Sequence, residues 1–233
     1  MEKSSRKKEL EAADTTPWQG RRAARAGSEA RRRAILEAAL RIIVRDGIRA
    51  VRHRAVAKEA GVPLSATTYY FKDIHDLIAD AFTLFVENAM GKVIDPVWVE
   101  IYRFAGEYPP EKLRDPGTRI AFIAGLSALA ADFVEREVTQ HREHLLAEQA
   151  FLQAAILEPR LREQAAGFRR KVQEGLVMFC TMLGTIDPPM DAELIYEAFM
   201  QLEYENLMAG EGVFDRQRAE RVLAHRFRLV APG

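Results

Sequence analysis

Apolar positions recur every three to four residues along most of the chain, and no stretch sustains a two-residue alternation. That pattern predicts an all-α fold with no sheet. Ile35, Leu36, Ala39, Leu40 and Ile43 make one stripe, on a helix expected from Glu29 to about Asp46. Ser28 serves as its N-cap and Gly47 as its terminator. Leu77, Ile78, Ala81, Phe82, Phe85 and Ala89 make a second stripe, on a helix capped by Asp73 and running to about Gly91. Asp95-Pro96 then reads as the N-cap and first residue of a helix carrying Trp98, Ile101, Tyr102 and Phe104. Pro109, Pro110, Pro116 and Gly117 mark a loop. From Thr118 a long helical region passes through Phe122, Leu126, Leu129 and Phe133, and another runs through Leu145, Phe151 and Ile156 to Pro159. The last third holds two amphipathic helices, about 159–184 and 191–209, separated by Gly184 and Pro188-Pro189, with a short terminal helix over 215–229.

Residues 54–77 break from this long-helix pattern. Ala55, Val56 and Ala60 share one side of a two-turn helix that Gly61 stops, and Pro63 holds the chain extended. A second helix starts at Leu64 or Ser65, with Ser65 as a plausible cap, and carries Ala66, Thr67, Thr68, Tyr69 and Tyr70. Few of these suit a core. Two short helices around a Gly-containing corner form a helix-turn-helix pattern, and the second helix has the size and chemistry to enter a major groove. An ordinary αα-corner shares the outline.

Charge sharpens the reading. The 233 residues carry 34 basic and 34 acidic side chains. Residues 1–58 hold 16 Lys/Arg against 7 Asp/Glu, leaving 18 against 27 in the remainder. A basic end on an acidic body points to a polyanionic partner at that end alone. Residues 1–27 are polar and rich in Arg, Lys and Ala, and read as a flexible arm. Within it Arg21, Arg22 and Arg25 could follow phosphates, although a solvated tail is the simpler reading. Arg31, Arg32 and Arg33 crowd the positive end of the first helix, a cost that nearby phosphates would offset.

Residues 31–91 resemble the DNA-binding domain of the TetR family of bacterial transcriptional regulators. The resemblance rests on Ile35, Leu36, Ala38, Ala39 and Leu40, on Gly47, on Val56-Ala57 and Ala60-Gly61-Val62, and on Tyr70-Phe71 and Leu77. It covers about a quarter of the chain. Arg52 stands where the family pattern has a capping Thr, Ser65 where Gly is usual, and Ile74 where a phosphate-binding Lys or Arg is common, with Lys72 as its possible substitute. The candidate DNA-contacting residues are Arg31, Arg52, His53, Arg54, Ser65, Thr67, Thr68, Tyr69, Tyr70 and Lys72. Thr68 and Tyr69 are expected to read bases with Thr67 and Tyr70 assisting, and Arg31, Arg54 and Lys72 to hold phosphates.

The resemblance implies a helix-turn-helix domain over 28–91, with its linking helix, and a helical effector-binding and dimerisation domain over 92–233. It further implies a homodimer that binds a palindromic operator as a repressor and responds to a small-molecule effector. Phe168, Val172, Phe179, Ile195, Phe199 and Leu202 are the expected dimer contacts, since their two stripes suit a four-helix bundle across a two-fold axis. Packing within one subunit would give the same stripes. Trp98, Tyr102, Phe104, Phe122 and Phe151 are the expected effector-cavity residues, although aromatics at helical spacing are more often plain core.

Catalytic motifs are lacking: no P-loop, GxGxxG, GxSxG or cysteine pair occurs, so no enzyme activity and no cofactor are expected. Glu137, His141, His144 and Glu148 fall at helical spacing on one face, which suits either a metal or a solvated stripe. A helical metalloenzyme using that face is the rival reading. A scaffold whose corner is merely structural is a third. The single cysteine, Cys180, excludes an internal disulfide, suits a reducing compartment and reads as a small buried hydrophobe. The charged N-terminus lacks an apolar signal core, and the run 120–131 is too short to span a bilayer, so a cytoplasmic location is expected.

Overall fold

The computed structural model describes residues 18–20 and 26–230, and these residues form helices and connections with no strand. The arm reading of residues 1–27, with Arg21, Arg22 and Arg25, lies outside the described residues apart from Trp18, Gln19 and Gly20 and from Ala26 and Gly27, which are helical. The described residues separate into two compact units, one of those up to residue 85 with 151–167, the other of residues 86–150 with 168–230.

The first unit opens with α1, Ala26–Asp46. It starts ahead of the expected cap, so Ser28 lies inside the helix, and its hydroxyl pairs with the Tyr70 hydroxyl at 2.8 Å. Gly47 ends the helix at φ 81°, a left-handed conformation that a side chain would strain. A single 3-10 turn, Ile48–Ala50, leads to α2, His53–Glu59, and α3, Leu64–Tyr70. The fourth helix, α4, is Ile74–Ala89. Its start is held by Asp73, whose carboxylate accepts from the His75 amide at 3.0 Å. Ile35, Leu36, Ile43, Val56, Phe71, Leu77 and Phe82 are all buried to within 2%. Residues 151–167, which no sequence pattern assigned to this head, complete the unit. Phe151 stacks on Phe82 at 4.5 Å, and the Gln164 amide donates to the Ala79 carbonyl and the Thr83 hydroxyl at 3.1 Å each.

In the second unit Gly91 does not end a helix as expected. A π-helical stretch, Met90–Ile94, joins α4 to α5, Asp95–Gly106, so Asp95 is helical and caps nothing. Pro96 has no amide proton to offer the carbonyl four residues back, which breaks the α ladder at this point. The proline-rich loop contains a short helix α6, Pro110–Leu113, and Pro116 opens α7, Pro116–Thr139, two residues before the expected start. Asp115 caps α7, accepting from the Thr118 amide at 2.7 Å. By length and apolarity α7 could cross a bilayer, but Phe122, Leu126, Ala131 and Val134 make it a core helix. It packs on α11, Arg216–Val230, where Arg216 pairs with Asp132 at 2.6 Å and Glu135 at 2.8 Å.

Three more helices complete the chain: α8, Arg142–Leu157; α9, Pro159–Leu183; and α10, Pro188–Ala209. The Pro188-Pro189 pair starts α10 rather than only closing α9, because Asp187 caps it and both prolines sit where amide protons are not needed. Cys180 is fully buried, as its apolar setting suggested, and burial pushes its thiol up to about 12.

Candidate nucleic-acid interface and internal cavity

The corner between α2 and α3 is built by its backbone. Gly61 takes φ 64°, and the Val62 amide closes the end of α2 on the Ala57 carbonyl at 3.0 Å. Pro63, not Ser65, occupies the cap position of α3, so Ser65 is helical and exposed.

The side chains of α3 divide between two roles. Thr67 is fully buried and its hydroxyl donates to the Leu64 carbonyl at 2.8 Å. Tyr70 is 5% exposed, with its hydroxyl on Ser28. Burial withdraws both from a base, which corrects their expected assisting role: Tyr70 ties α3 to α1, and the Thr67 hydroxyl is closed on its own helix. Ser65, Thr68, Tyr69 and Lys72 are exposed, Tyr69 by 53%. The expected readers Thr68 and Tyr69 therefore share the exposed face.

The cations around the corner also divide. Arg31, Arg54 and Lys72 are exposed and have no carboxylate partner among the described residues. Arg52 is exposed and donates to the Val51 carbonyl at 2.9 Å. His53 is half-buried, with its Nδ1 enclosed. Arg32 and Arg33 are not available in the same way. Arg33 pairs with Glu37 at 3.1 Å, while Arg32 is 2% exposed and pairs with Asp80 at 2.5 Å. Phosphates are thus not required to explain the whole Arg31–Arg33 cluster. Asp80 also accepts the Gly20 amide at 2.8 Å, and Trp18 lies under the Arg32 guanidinium at 4.4 Å. A side chain at residue 20 would come within 2.5 Å of the Phe71 ring, so glycine is needed there.

The second unit contains a cavity of about 90 Å³. Of the aromatics expected there, only Trp98 lines it. Tyr102 packs on Trp98 and Phe179; Phe104 stacks on Phe122; Phe151 lies in the first unit. Instead Phe168, Val172 and Phe199, expected at a dimer interface, line the cavity, while Phe179, Ile195 and Leu202 are subunit core at 3%, 1% and 1% exposure. An amphipathic stripe records that a face is covered, not what covers it.

Its polar wall comprises Glu137, His144, Glu148, Tyr196 and Glu203. Glu137, His141, His144 and Glu148 do not share one helix, since α7 ends at Thr139 and α8 begins at Arg142. The turn nevertheless brings Glu137 within 2.6 Å of His141 and 3.5 Å of His144. Among the described residues no group of three or more His, Cys, Asp or Glu is arranged to hold a metal ion. Sequence reasoning missed Glu203, one of several acids on α10, and nothing in its spacing marked it as the buried one.

Residues 35–81 match the family model described as bacterial regulatory proteins, tetR family. The HTH-type transcriptional regulator PksA of Bacillus subtilis (strain 168) is 37% identical over 67 residues, 29% of this chain and 33% of that protein, so the match spans about a third of the relative's length. A member of the TetR family from Streptomyces coelicolor A3 superposes with a TM-score of 0.61 at 26% identity, covering 87% of this chain and 99% of that one. The multidrug binding protein EbrR, complexed with imidazole, gives a TM-score of 0.58 at 26% identity, covering 88% and 92%. These relatives are regulators rather than enzymes. Residues 35–81 thus carry a head of the TetR family of bacterial transcriptional regulators, and over its length the chain is similar in fold to a member of that family.

Proposed function

We propose that this chain is a cytoplasmic repressor that binds a palindromic DNA operator as a homodimer and is controlled by a small organic effector. The exposed face of α3 carries the reading: Thr68 and Tyr69 both lie exposed on it, with Arg31, Arg54 and Lys72 exposed around the corner. A short helix with exposed hydroxyl-bearing side chains flanked by exposed cations suits a major groove and its phosphates. The dimer contact shifts from the expected stripes to the opposite faces of α9 and α10. Met178, Met182, Met190, Tyr204 and Met208 are 41–71% exposed in the single chain, an apolar surface suited to a two-fold bundle. EbrR has been solved with proflavin, ethidium and malachite green, which supports an organic effector for the cavity here. In this reading residues 28–91 are the reading head, with residues 151–167 packed in the same unit, and the rest of 92–233 is the effector and dimer body.

Selection of bound duplexes from a random pool tests this. Enrichment of a two-fold symmetric site is expected. Recovery of unselected sequence would leave the corner a structural element only.

A further inference from the structure

The charge of the cavity wall says more about the ligand than its size does. No Lys or Arg lines the cavity. Of its three carboxylates, Glu137 already faces His141 and His144. Glu148 on α8 and Glu203 on α10 are 8% and 6% exposed, and neither has a hydrogen bond or ion pair among the described residues. Burying an acid without a partner is costly, and an apolar residue of similar volume would cost less. Two such acids, from separate helices, meet in one aromatic-walled space. Taking the cavity as the effector site proposed above, we infer that the effector is a lipophilic organic cation, held by the carboxylates of Glu148 and Glu203 against the rings of Trp98, Phe168 and Phe199.

The rings suit that ligand because their faces attract cations, most strongly when water is excluded. Trp98 is fitted into the wall closely: a side chain at Gly175 would come within 2.8 Å of its indole. Burial raises both acids, Glu148 to about 7 and Glu203 well above the ordinary range; His144 opposes the rise at Glu148, and neighbouring carboxyls add to it at both. The empty cavity therefore retains protons. An entering cation replaces a proton, which leaves to solvent, so the charge in the cavity balances. An anion would displace no proton and would meet like charge wherever an acid ionised, and a neutral ligand would supply neither acid with a counter-charge. Drug-sized pockets hold roughly 300–1,000 Å³. The present 90 Å³ must therefore widen, and the unbranched side chain of Met200 in its wall can yield.

Fluorescence titration of the full chain with proflavin, a planar cation, and with anilinonaphthalene sulfonate, an anion of similar size, tests the inference. Proflavin should bind, and Glu148→Gln and Glu203→Gln should each weaken it by about tenfold or more, about 1.4 kcal/mol. The anion should bind the variants at least as well as the wild type. Wild-type binding of proflavin, measured calorimetrically in two buffers of different ionisation enthalpy, should release protons, a readout that needs no variant. If the anion binds the wild type while proflavin does not, or proflavin ignores both substitutions and releases no proton, the cation assignment falls and the effector cavity stands. If neither probe binds, both fall.

Discussion

Arg32 and Asp80 are 48 residues apart in sequence and form a buried ion pair at 2.5 Å, the guanidinium 2% exposed and the acid fully enclosed. The pair binds α1 to α4, and Asp80 also collects the amides of Gln19 and Gly20. Breaking a buried pair by removing one partner leaves the other charge stranded, at a cost of about 3–5 kcal/mol. Asp80→Ala should lower stability by that order, as read by urea denaturation. Loss of less than about 0.5 kcal/mol would show that the pair does not anchor the head.

Readout and support should separate on α3. Thr68→Ala should cost about 1–3 kcal/mol at the selected operator and leave the melting temperature unchanged. Tyr70→Phe removes the bond to Ser28 and should cost about 0.5–1.5 kcal/mol of stability without changing base preference. Arg54→Ala should lower the salt slope of binding by about 1 across all sequences. A changed base preference in the Arg54 variant would make it a reader.

Assembly depends on which face of α9 and α10 is mutated. Met182→Glu, at a position 41% exposed, should give monomers with wild-type helix content. Leu202→Glu, at 1% exposed, should unfold the chain instead. Sedimentation velocity with circular dichroism distinguishes the two outcomes. A dimeric Met182→Glu protein would move the interface elsewhere.

Glu148 links stability to pH. Burial pushes its carboxyl up to about 7, with Glu137 adding to the rise and His144 opposing it. An acid raised in the fold binds its proton more tightly there than when unfolded. Its stabilising contribution is therefore complete below the ordinary value of 4.5 and is lost as pH rises through about 7. Between pH 5 and 8 the unliganded protein should lose up to about 3 kcal/mol from this group. Glu148→Gln should flatten that part of the profile in thermal melts. An identical slope in the variant would assign the pH dependence to other groups.

Local features of the chain are legible in its residues. The three-to-four spacing announces helices because it follows from backbone geometry alone. Gly47 and Gly61 mark two helix ends because left-handed backbone excludes most side chains. Asp73 is readable as a cap because its amide partner lies two residues away. Partners brought together from a distance are not legible in this way. Thr67 and Thr68 are chemically identical neighbours, and only the packing of α3 buries one and frees the other. The stripe of Phe168 and Phe199 announces coverage without naming a cavity as what it faces. Arg32 reads as one of three exposed cations until Asp80 is found beside it. Glu203 is one of several acids on α10 in sequence, and becomes half of a site when the fold sets it beside Glu148. Spacing along the backbone is a local property, whereas the environment of a side chain is set by residues tens of positions away.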